Sequence, residues 1–195
     1  DSSIYTRPNK PRTIEVKKRR GTPQGVCLPL EKVIEVDFST ECHVTPLIVG
    51  GRMVDYLEIE SKDNLLEPQA GNGNLIQSVL NSEKPFNSIT GVERNYHLSE
   101  SSKKRFAGHH DINIINQCFL AYSLEQVGKA LYSKIIMNPP FRGVKKHIEA
   151  AKEMLSEDGL LVALVPITFY DDEAIELEIL SNKTFSTAKV NTKII

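Results

Sequence analysis

Short apolar runs alternate with amphipathic stretches from about residue 43 onward, and this alternation limits the possible folds more than any other feature of the chain. Apolar runs bounded by glycine, proline or polar residues are typical of buried strands, whereas apolar residues spaced three or four apart predict helices. Strands are expected at 64–67, 88–92, 112–115, 134–137 and 160–165, and helices at 45–57, 74–80, 97–105 and 145–155. Strands that alternate with helices pair in parallel, since each connection crosses a face of the sheet. The sequence therefore predicts an α/β fold with a doubly wound, mostly parallel sheet.

The C-terminal part of the chain carries further turn and strand signals. The polar run at 156–159 predicts a turn, and the continuous apolar run after it predicts a strand covered on both faces. Residues 184–195 are expected to form one or two more strands. No element is assigned to residues 170–183, so that segment and the first 40 or so residues are spare, and they are too few for a further domain.

Composition places the chain among ordinary globular proteins, with 40% hydrophobic and 25% charged residues. The longest apolar stretch, 159–167, is too short to span a bilayer, and the polar N-terminus lacks the apolar core of a signal peptide. The three cysteines, Cys27, Cys42 and Cys118, show no Cys-x-x-Cys spacing, which argues against a structural zinc site and fits a reducing compartment. We therefore expect a cytoplasmic protein that uses neither a membrane nor a metal.

The formal net charge of −1 conceals an uneven distribution along the chain. Residues 1–20 contain seven basic and two acidic residues, a balance of +5, so the remainder carries −6. A basic arm on an acidic body is one way to hold a polyanion, whereas a charge run by itself is more often a solvated tail. We assign residues 1–40 to a basic, extended arm and lead-in, and residues 41–195 to one folded domain.

A strand, a turn with two close glycines and a helix follow one another around residues 67–74, which read Glu-Pro-Gln-Ala-Gly-Asn-Gly-Asn. Glycine lets the backbone approach a ligand closely, although a tight turn between a strand and a helix needs it too. The turn lacks the Gly-Lys-Ser/Thr of a phosphate-binding loop, and Ile76 stands where a dinucleotide-binding turn has its third glycine. Glu93 ends the next strand, twenty positions past Gly73, where a carboxylate can accept hydrogen bonds from both hydroxyls of a ribose. These features together predict a ribose-containing ligand.

The tetrapeptide Asn138-Pro139-Pro140-Phe141 directly follows the fourth predicted strand. Two prolines fix φ and remove two N–H donors, so the rigid turn presents carbonyl acceptors. The side-chain oxygen of Asn138 and the carbonyl of Pro139 are then able to accept both hydrogens of a planar amine, which exposes the nitrogen lone pair. Phe141 offers a flat face on which a base can stack, worth ~1–3 kcal/mol. A proline-rich loop often does no more than end a strand, but this placement favours a site for a base amine.

Three of the unusual loops, at 68–73, 93–96 and 138–141, follow predicted strands. The carboxyl ends of parallel strands meet at one edge of a sheet, and ligands bind there, near the point where the strand order reverses. We therefore expect these loops to line a single site.

These residues together resemble the class I S-adenosylmethionine (SAM)-dependent methyltransferases, in particular the amino methyltransferases with an (Asn/Asp)-Pro-Pro-(Tyr/Phe) motif. The segment 65–74 is similar to that family's SAM-binding motif, and Val92-Glu93 is similar to its acidic ribose-binding position. The segment 43–46 (His-Val-Thr-Pro) resembles the one that contacts the methionine end of SAM in the DNA enzymes. The later runs, 159–166 and 190–195, resemble core strands, the last of which is antiparallel in the family. The resemblance implies a Rossmann-like SAM methyltransferase fold for the folded domain.

The resemblance also implies which residues bind the target and the cofactor. The catalytic residues would be those of the tetrapeptide. SAM would contact a larger set: Thr45, Pro46, Glu67, Pro68, Ala70, Gly71, Gly73, Asn74, Glu93, Arg94, Cys118, Phe119 and Asn138. One position departs from the family, because Cys118 stands after the third strand where a carboxylate usually binds the adenine amine of SAM. Gln117 or the main chain of Phe119 would then make that contact.

The implied function is transfer of a methyl group from SAM to the N6 amine of adenine in DNA, as in restriction-modification systems, with the target base flipped out of the duplex. DNA is the expected partner, RNA the alternative, and no metal is implied. Specificity would come from the arm, short loops or a partner subunit, since no target-recognition domain is evident. Related enzymes use the same motif on RNA (guanine N2 or adenine N6) or on protein glutamine. A non-catalytic subunit that binds SAM or nucleic acid is the alternative from another class.

Overall fold

The computed structural model of the 195-residue chain describes residues 44–129, 131–181 and 191–195. The predicted basic arm and residues 184–190 of the expected C-terminal strands lie outside this part of the chain. Five helices and seven strands are found in the described residues: α1 (Leu47–Tyr56), β1 (Asn64–Glu67), α2 (Asn74–Asn81), β2 (Ser88–Val92), α3 (Tyr96–Arg105), β3 (Ile112–Ile115), α4 (Phe119–Glu125), β4 (Tyr132–Met137), α5 (Val144–Lys152), β5 (Leu155–Pro166), β6 (Glu178–Leu180) and β7 (Thr192–Ile194). None of these helices is long and apolar enough to cross a membrane.

The seven described strands form one sheet in the order β3-β2-β1-β4-β5-β7-β6. β1 pairs in parallel with β2 and β4, and parallel pairing continues from β2 to β3 and from β4 to β5. β7 runs antiparallel to both β5 and β6. The predicted fold is therefore confirmed: a Rossmann-like, mostly parallel sheet with an antiparallel last strand. The strand order reverses at β1, because β2 and β3 lie on one side of it and β4 and β5 on the other.

Apolar residues cover both faces of the sheet. Leu65 and Leu66 are neighbours in β1 and are both fully buried, yet they belong to different core clusters because strand side chains alternate between faces. Leu65 packs in the cluster with Met53 of α1 and Ile76 of α2, whereas Leu66 packs in the cluster with Ile148 of α5. Burial of each such side chain stabilises the fold by ~1.5–3 kcal/mol. Burial on both faces explains why the parallel strands read as continuous apolar runs.

Most predicted elements end within two or three residues of the observed ones, but two assignments were incomplete. The predicted helix at 145–155 ends at Lys152, and Leu155 already belongs to β5. Helix α4 was not predicted, because seven residues make about two turns, too few for the 3.6-residue period to be distinctive.

The predicted turn at 156–159 is wrong, since β5 runs without a break from Leu155 onward. The pairing with β4 shows how the polar run is accommodated. Tyr132 pairs with Leu155 and Lys134 pairs with Leu160, so a step of two residues in β4 faces a step of five in β5. The extra residues form an irregularity of the β-bulge type, in which one strand carries more residues than its partner. The polar run therefore marks a distortion within a strand.

Residues 170–183, which the sequence left unassigned, contain the short edge strand β6. Leu180 is buried and Ile179 is exposed, as expected when one face of an edge strand packs on the core. Part of the segment that looked spare therefore extends the sheet beyond β7.

Candidate active site

Two adjacent strands, β1 and β4, end where the strand order reverses, which is where open α/β sheets bind their ligands. The glycine loop (residues 68–73) follows β1, and the tetrapeptide (Asn138–Phe141) follows β4. Glu93 follows β2, which pairs with the other side of β1. Parallel pairing places all three strand ends at one edge of the sheet.

The glycine loop is shaped by main-chain hydrogen bonds. The N–H of Ala70 donates to the carbonyl of Val92 at the end of β2 (2.9 Å), and the N–H of Gly73 donates to the carbonyl of Ala70 (2.7 Å). Gly71 and Gly73 both have positive φ, at 52° and 81°. A Cβ at Gly73 would also lie 2.5 Å from the ring of Phe106. Both the backbone conformation and the available space therefore require glycine at this position.

Glu93 is fixed by the loop that it faces. Its Oε2 accepts from the N–H of Gly71 (2.8 Å), and its Oε1 accepts from the N–H of Asn95 (2.6 Å). Asn95 in turn caps α3, since its side-chain oxygen accepts from the N–H of Leu98 (3.1 Å). Glu93 is 8% exposed, so its carboxylate is largely buried beside the glycine loop. Each carboxylate oxygen has two lone pairs, which leaves capacity to accept hydrogen bonds from two ribose hydroxyls.

Glu67 is a buried carboxyl group at the start of the glycine loop, with 2% of its surface exposed. Burial raises the pKa of this carboxyl well above its ordinary value, and a hydrogen bond from the main chain of Ile76 offsets part of that effect. Its Oε2 makes no hydrogen bond to another described residue. A cationic ligand group placed against this oxygen would favour the ionised carboxylate.

Asn74, the first residue of α2, connects the glycine loop to the segment before α1. Its Nδ2 donates to the carbonyl of Thr45 (2.9 Å), and its Oδ1 accepts from Nη1 of Arg105 (3.2 Å). The same nitrogen of Arg105 donates to the carbonyl of Asn72 in the glycine loop (2.8 Å). Two parts of the predicted cofactor site that are distant in sequence are thereby tied together.

Asn138 is the first residue after β4, and Thr45 orients its amide. The Nδ2 of Asn138 donates to Oγ1 of Thr45 (2.9 Å), and Thr45 is buried, with 5% exposed. The amide oxygen points away from Thr45, because the oxygen and nitrogen diverge from the same carbon. A residue predicted to bind the cofactor therefore contacts the residue predicted to bind the target amine.

The rest of the tetrapeptide forms the turn between β4 and α5. Pro139 is buried, and Pro140 and Phe141 are partly buried. Among the described residues no peptide bond is cis, so both prolines follow trans bonds. Gly143, with φ of 78°, is the N-cap of α5. The two prolines contribute carbonyl acceptors and no N–H donors to this turn.

The three residues after β3 that were considered for contact with the adenine of SAM have different surroundings. Cys118 is exposed and precedes α4, whereas Phe119 is 3% exposed and its ring stacks on His147, with 6.3 Å between ring centroids. Gln117, the suggested substitute for the missing carboxylate, donates from Nε2 to Oε1 of Glu125 (2.6 Å). The Phe119 side chain belongs to the core, so its main chain is the part that can face a ligand.

Three other residues of the predicted set lie in the same segments. The carbonyl of Pro46 accepts from the N–H groups of Val49 and Gly50 (2.9 and 3.0 Å) and so begins α1. Pro68 is buried at the start of the glycine loop, and Arg94 is exposed beside Glu93.

Gln69 is a glycine-loop residue that the sequence analysis did not select. Its amide oxygen and nitrogen are both buried and make no hydrogen bond to other described residues. Buried polar groups are nearly always paired, so this unpaired amide points to a ligand. The amide and the carboxyl groups of Glu67 and Glu93 suit a ligand that carries an ammonium group and ribose hydroxyls, as SAM does. The residues present therefore fit SAM. The sequence indication of this role for Gln69 is its polar side chain, which stands between Pro68 and Ala70 in the glycine loop.

The fold and the residues at this edge of the sheet are those expected of the class I SAM-dependent methyltransferases. More particularly, the chain belongs to the methyltransferase small domain family, whose model matches residues 51–192. The family and the fold together imply SAM as the cofactor. A curated relative is the 23S rRNA (uracil(1939)-C(5))-methyltransferase RlmD of Histophilus somni, which is 26% identical over 122 residues. That match covers 61% of this chain and 27% of the relative, so the chain spans about a quarter of the relative's length.

Solved methyltransferase structures share the fold at low sequence identity. The methyltransferase subunit of a type I restriction-modification system from Streptococcus thermophilus superposes with a TM-score of 0.67 at 14% identity, covering 78% of this chain and 44% of that one. A dimethyladenosine transferase from Plasmodium falciparum gives a TM-score of 0.62 at 13% identity, covering 78% and 62%. At such identities the similarity establishes the fold.

Proposed function

We propose that the protein transfers the methyl group of SAM to the exocyclic amine of a nucleic-acid base, with the N6 amine of adenine in DNA as the preferred target. The contact that supports this proposal is the hydrogen bond from Asn138 to Thr45, whose carbonyl in turn accepts from Asn74, directly after the glycine loop. Family membership supports methyl transfer. The choice of a base amine rests on the chemistry of the tetrapeptide.

The tetrapeptide activates the amine by binding its hydrogens. An exocyclic amine is planar, and its lone pair is delocalised into the base. The Oδ1 of Asn138 and the carbonyl of Pro139 accept both amine hydrogens, which favours a pyramidal nitrogen with an available lone pair. When bound, SAM would supply the electrophilic methyl group: the new bond from nitrogen to the methyl carbon would form as the bond from sulfur to that carbon breaks, which would leave S-adenosylhomocysteine. The nitrogen then releases one proton to solvent, and most of the rate enhancement comes from proximity and orientation of the bound groups.

The target base has to leave the duplex before its amine reaches the tetrapeptide. Flipping a paired base costs a few kcal/mol. Stacking on the aromatic ring of Phe141 contributes ~1–3 kcal/mol of favourable free energy, which offsets much of the cost of flipping the base. Phe141 is partly buried in the turn after β4, next to the residues that bind the amine.

RNA is the second candidate substrate. The curated relative is named as a 23S rRNA methyltransferase, and one similar structure is named as a dimethyladenosine transferase. The relative's name specifies C5 of uracil, a carbon atom, whereas the tetrapeptide is suited to an amine. We therefore place RNA amines, at guanine N2 or adenine N6, ahead of uracil C5 among RNA targets.

The test is transfer of labelled methyl from SAM to unmethylated duplex DNA and, in parallel, to ribosomal RNA. The modified nucleosides are identified by mass spectrometry, and Asn138→Ala is assayed beside the wild type. N6-methyladenine in DNA that the wild type makes and the variant does not would support the proposal. Methylated amines in RNA alone would move the substrate to RNA, and 5-methyluridine would refute the amine chemistry.

Two further outcomes would separate the remaining alternatives. Labelled protein glutamine with unlabelled nucleic acid would identify a protein methyltransferase. SAM binding by calorimetry with no transfer to any of these substrates would identify a binding subunit without catalytic activity.

A further inference from the structure

We infer that Thr45 is a positioning residue for the reaction, which acts on the target amine through Asn138; this inference rests on the proposed function. Sequence resemblance placed Thr45 at the methionine end of the cofactor. The hydrogen bond from Asn138 Nδ2 to Thr45 Oγ1 (2.9 Å) assigns its hydroxyl to the other reactant.

The main chain of Thr45 is fixed by its contacts, and this limits where its hydroxyl can lie. The carbonyl of Thr45 accepts from Nδ2 of Asn74 (2.9 Å), and Pro46 immediately begins α1. Thr45 is 5% exposed, and its branched side chain has few rotamers. The oxygen that meets Asn138 is therefore a fixed acceptor.

The contact with Thr45 restrains the amide of Asn138. The last torsion of an asparagine side chain is soft, so rotation exchanges the oxygen and the NH2 group at small cost. In the structure the NH2 group donates to the Thr45 hydroxyl, and Oδ1 is directed to the opposite side. Because a hydroxyl can donate as well as accept, the contact fixes the plane of the amide, and the target amine, which offers hydrogens, matches the orientation in which Oδ1 faces it. In the reversed orientation an NH2 group would face the hydrogens of the target amine, and both partners would be donors.

The same contacts connect this amide to the glycine loop. Arg105 donates to Asn74, Asn74 donates to Thr45, and Asn138 donates to Thr45. Arg105 also donates to the carbonyl of Asn72, so hydrogen bonds link the residue proposed to bind the target amine to the glycine loop. This chain of contacts crosses from α3 to the end of β4 through four residues, and it passes through both the main-chain carbonyl and the hydroxyl of Thr45.

The experiment compares three single variants of the full chain: Thr45→Val, Thr45→Ser and the control Thr192→Val. Valine keeps the shape of threonine and removes the acceptor, whereas serine keeps the acceptor. Thr192 is buried, as Thr45 is, and its hydroxyl makes no hydrogen bond to another described residue. Thermal unfolding of each variant establishes that it is folded.

Two measurements separate a positioning role from a structural or cofactor-binding one. The first is the pair of side-chain amide signals of Asn138 in the NMR spectrum of 15N-labelled protein, identified by their absence in Asn138→Ala. We expect Thr45→Val to shift these signals and to speed their exchange with solvent, while Thr45→Ser and Thr192→Val leave them as in the wild type. The second is methyl transfer, for which Thr45→Val should lower kcat by ~10–100-fold with unchanged Kd for SAM. Thr45→Ser should restore most of the rate.

Two results would overturn the inference. Unchanged Asn138 signals in Thr45→Val would show that the hydroxyl does not hold the amide. A raised Kd for SAM with an unchanged kcat would make Thr45 a cofactor residue. If the wild type transfers methyl to no substrate, the proposed function fails, and with it the role of Thr45 in the reaction. The NMR signals would then still report whether the contact exists.

Discussion

The glycine loop and the tetrapeptide lie side by side, but they are held in different ways. The glycine loop is fixed by main-chain groups, with Ala70 bonded to Val92 and the N–H of Gly71 bonded to Glu93. The tetrapeptide is oriented by a bond between two side chains, those of Asn138 and Thr45. The first region depends on backbone conformation and on the absence of side chains, the second on the identity of particular side chains.

This difference predicts where substitutions act. A change that distorts the glycine-loop backbone should affect stability and SAM affinity, since the loop is part of the packed fold. A change at Asn138 or Thr45 should affect the rate of transfer and leave the fold intact, since the amide binds a transient partner. Each of the following experiments tests one side of this division.

Asn138→Ala should have the largest effect on the reaction. Removal of one oriented hydrogen-bonding group from a transition state typically costs ~100–1,000-fold in kcat. We expect a loss of this size with thermal unfolding and the Kd for SAM unchanged, measured by labelled methyl transfer and calorimetry. A parallel loss of SAM affinity would contradict the division and would support the contact with SAM that the sequence resemblance implies for Asn138.

Gly73→Ala should have the largest effect on the fold. The substitution forces a non-glycine residue into left-handed backbone and brings a Cβ against the ring of Phe106. We expect a loss of about 2–4 kcal/mol in the free energy of unfolding, measured by urea denaturation. Gly128→Ala is the matched control, since Gly128 has a similar φ of 78° and nothing within 4 Å of the added Cβ. It should cost about 1–2 kcal/mol. Equal losses in Gly73→Ala and Gly128→Ala would show that the Phe106 ring moves away from the added Cβ at little cost.

Glu93→Ala should weaken SAM binding by ~10–100-fold, because hydrogen bonds to a charged acceptor contribute about 1.5–3 kcal/mol. The variant also removes the acceptor for the N–H groups of Gly71 and Asn95, so some loss of stability is expected. Glu93→Gln is the control that keeps the shape and one acceptor, and it should bind with intermediate affinity. Calorimetry with SAM provides the measurement. Unchanged affinity in both variants would exclude Glu93 from the cofactor site.

Glu67→Gln should act mainly on the pH dependence of stability, with an effect that is small near pH 4 and grows as pH rises. Burial raises the pKa of Glu67 in the folded state, so the unfolded chain loses this proton at lower pH than the folded chain does. The stability from this group is therefore complete below the ordinary glutamate pKa of ~4.3 and is lost as pH rises through the folded value.

Glutamine stays neutral at every pH, so the variant lacks this loss. Relative to Glu67→Gln, the wild type should become less stable as pH increases above ~4.3, by at most ~1.4 kcal/mol per pH unit. Urea denaturation of both proteins in the absence of ligand, from about pH 4 to pH 8, measures the difference. If the free energy of unfolding changed with pH in parallel for the two proteins, burial would not raise the pKa of Glu67.

The sheet could be predicted from the sequence because its strands are short apolar runs with clear breaks on either side. The limits of β1, β2 and β3 agree with the expected ranges. The turn expected at 156–159 failed for a physical reason: a polar run looks the same whether it ends a strand or bulges from one, and pairing with β4 decides between the two. Pairing depends on residues elsewhere in the chain.

In the site, too, local features could be predicted from the sequence, and contacts between distant residues could not. Local chemistry selected the glycine loop, Glu93 and the tetrapeptide as candidates, because glycine, proline and a carboxylate act through their own positions. The bond between Thr45 and Asn138 joins residues 93 positions apart, and no local pattern specifies it. Gln69 escaped selection because its significance is its burial without a partner, which is a property of the folded chain.

The place of β7 in the sheet has a consequence for biosynthesis. β7 comes after all the other described strands in the chain, yet it is inserted between β5 and β6. During translation β6 is made before β7, the strand that pairs with it. The backbone N–H and C=O groups at the facing edges of β5 and β6 are therefore unpaired until β7 is made. A nascent chain from which residues 192–194 have not yet emerged therefore has the strands of the parallel half and a gap in the antiparallel half. Such a chain would expose strand edges to neighbours on the same polysome, and emergence of residues 192–194 would close the gap.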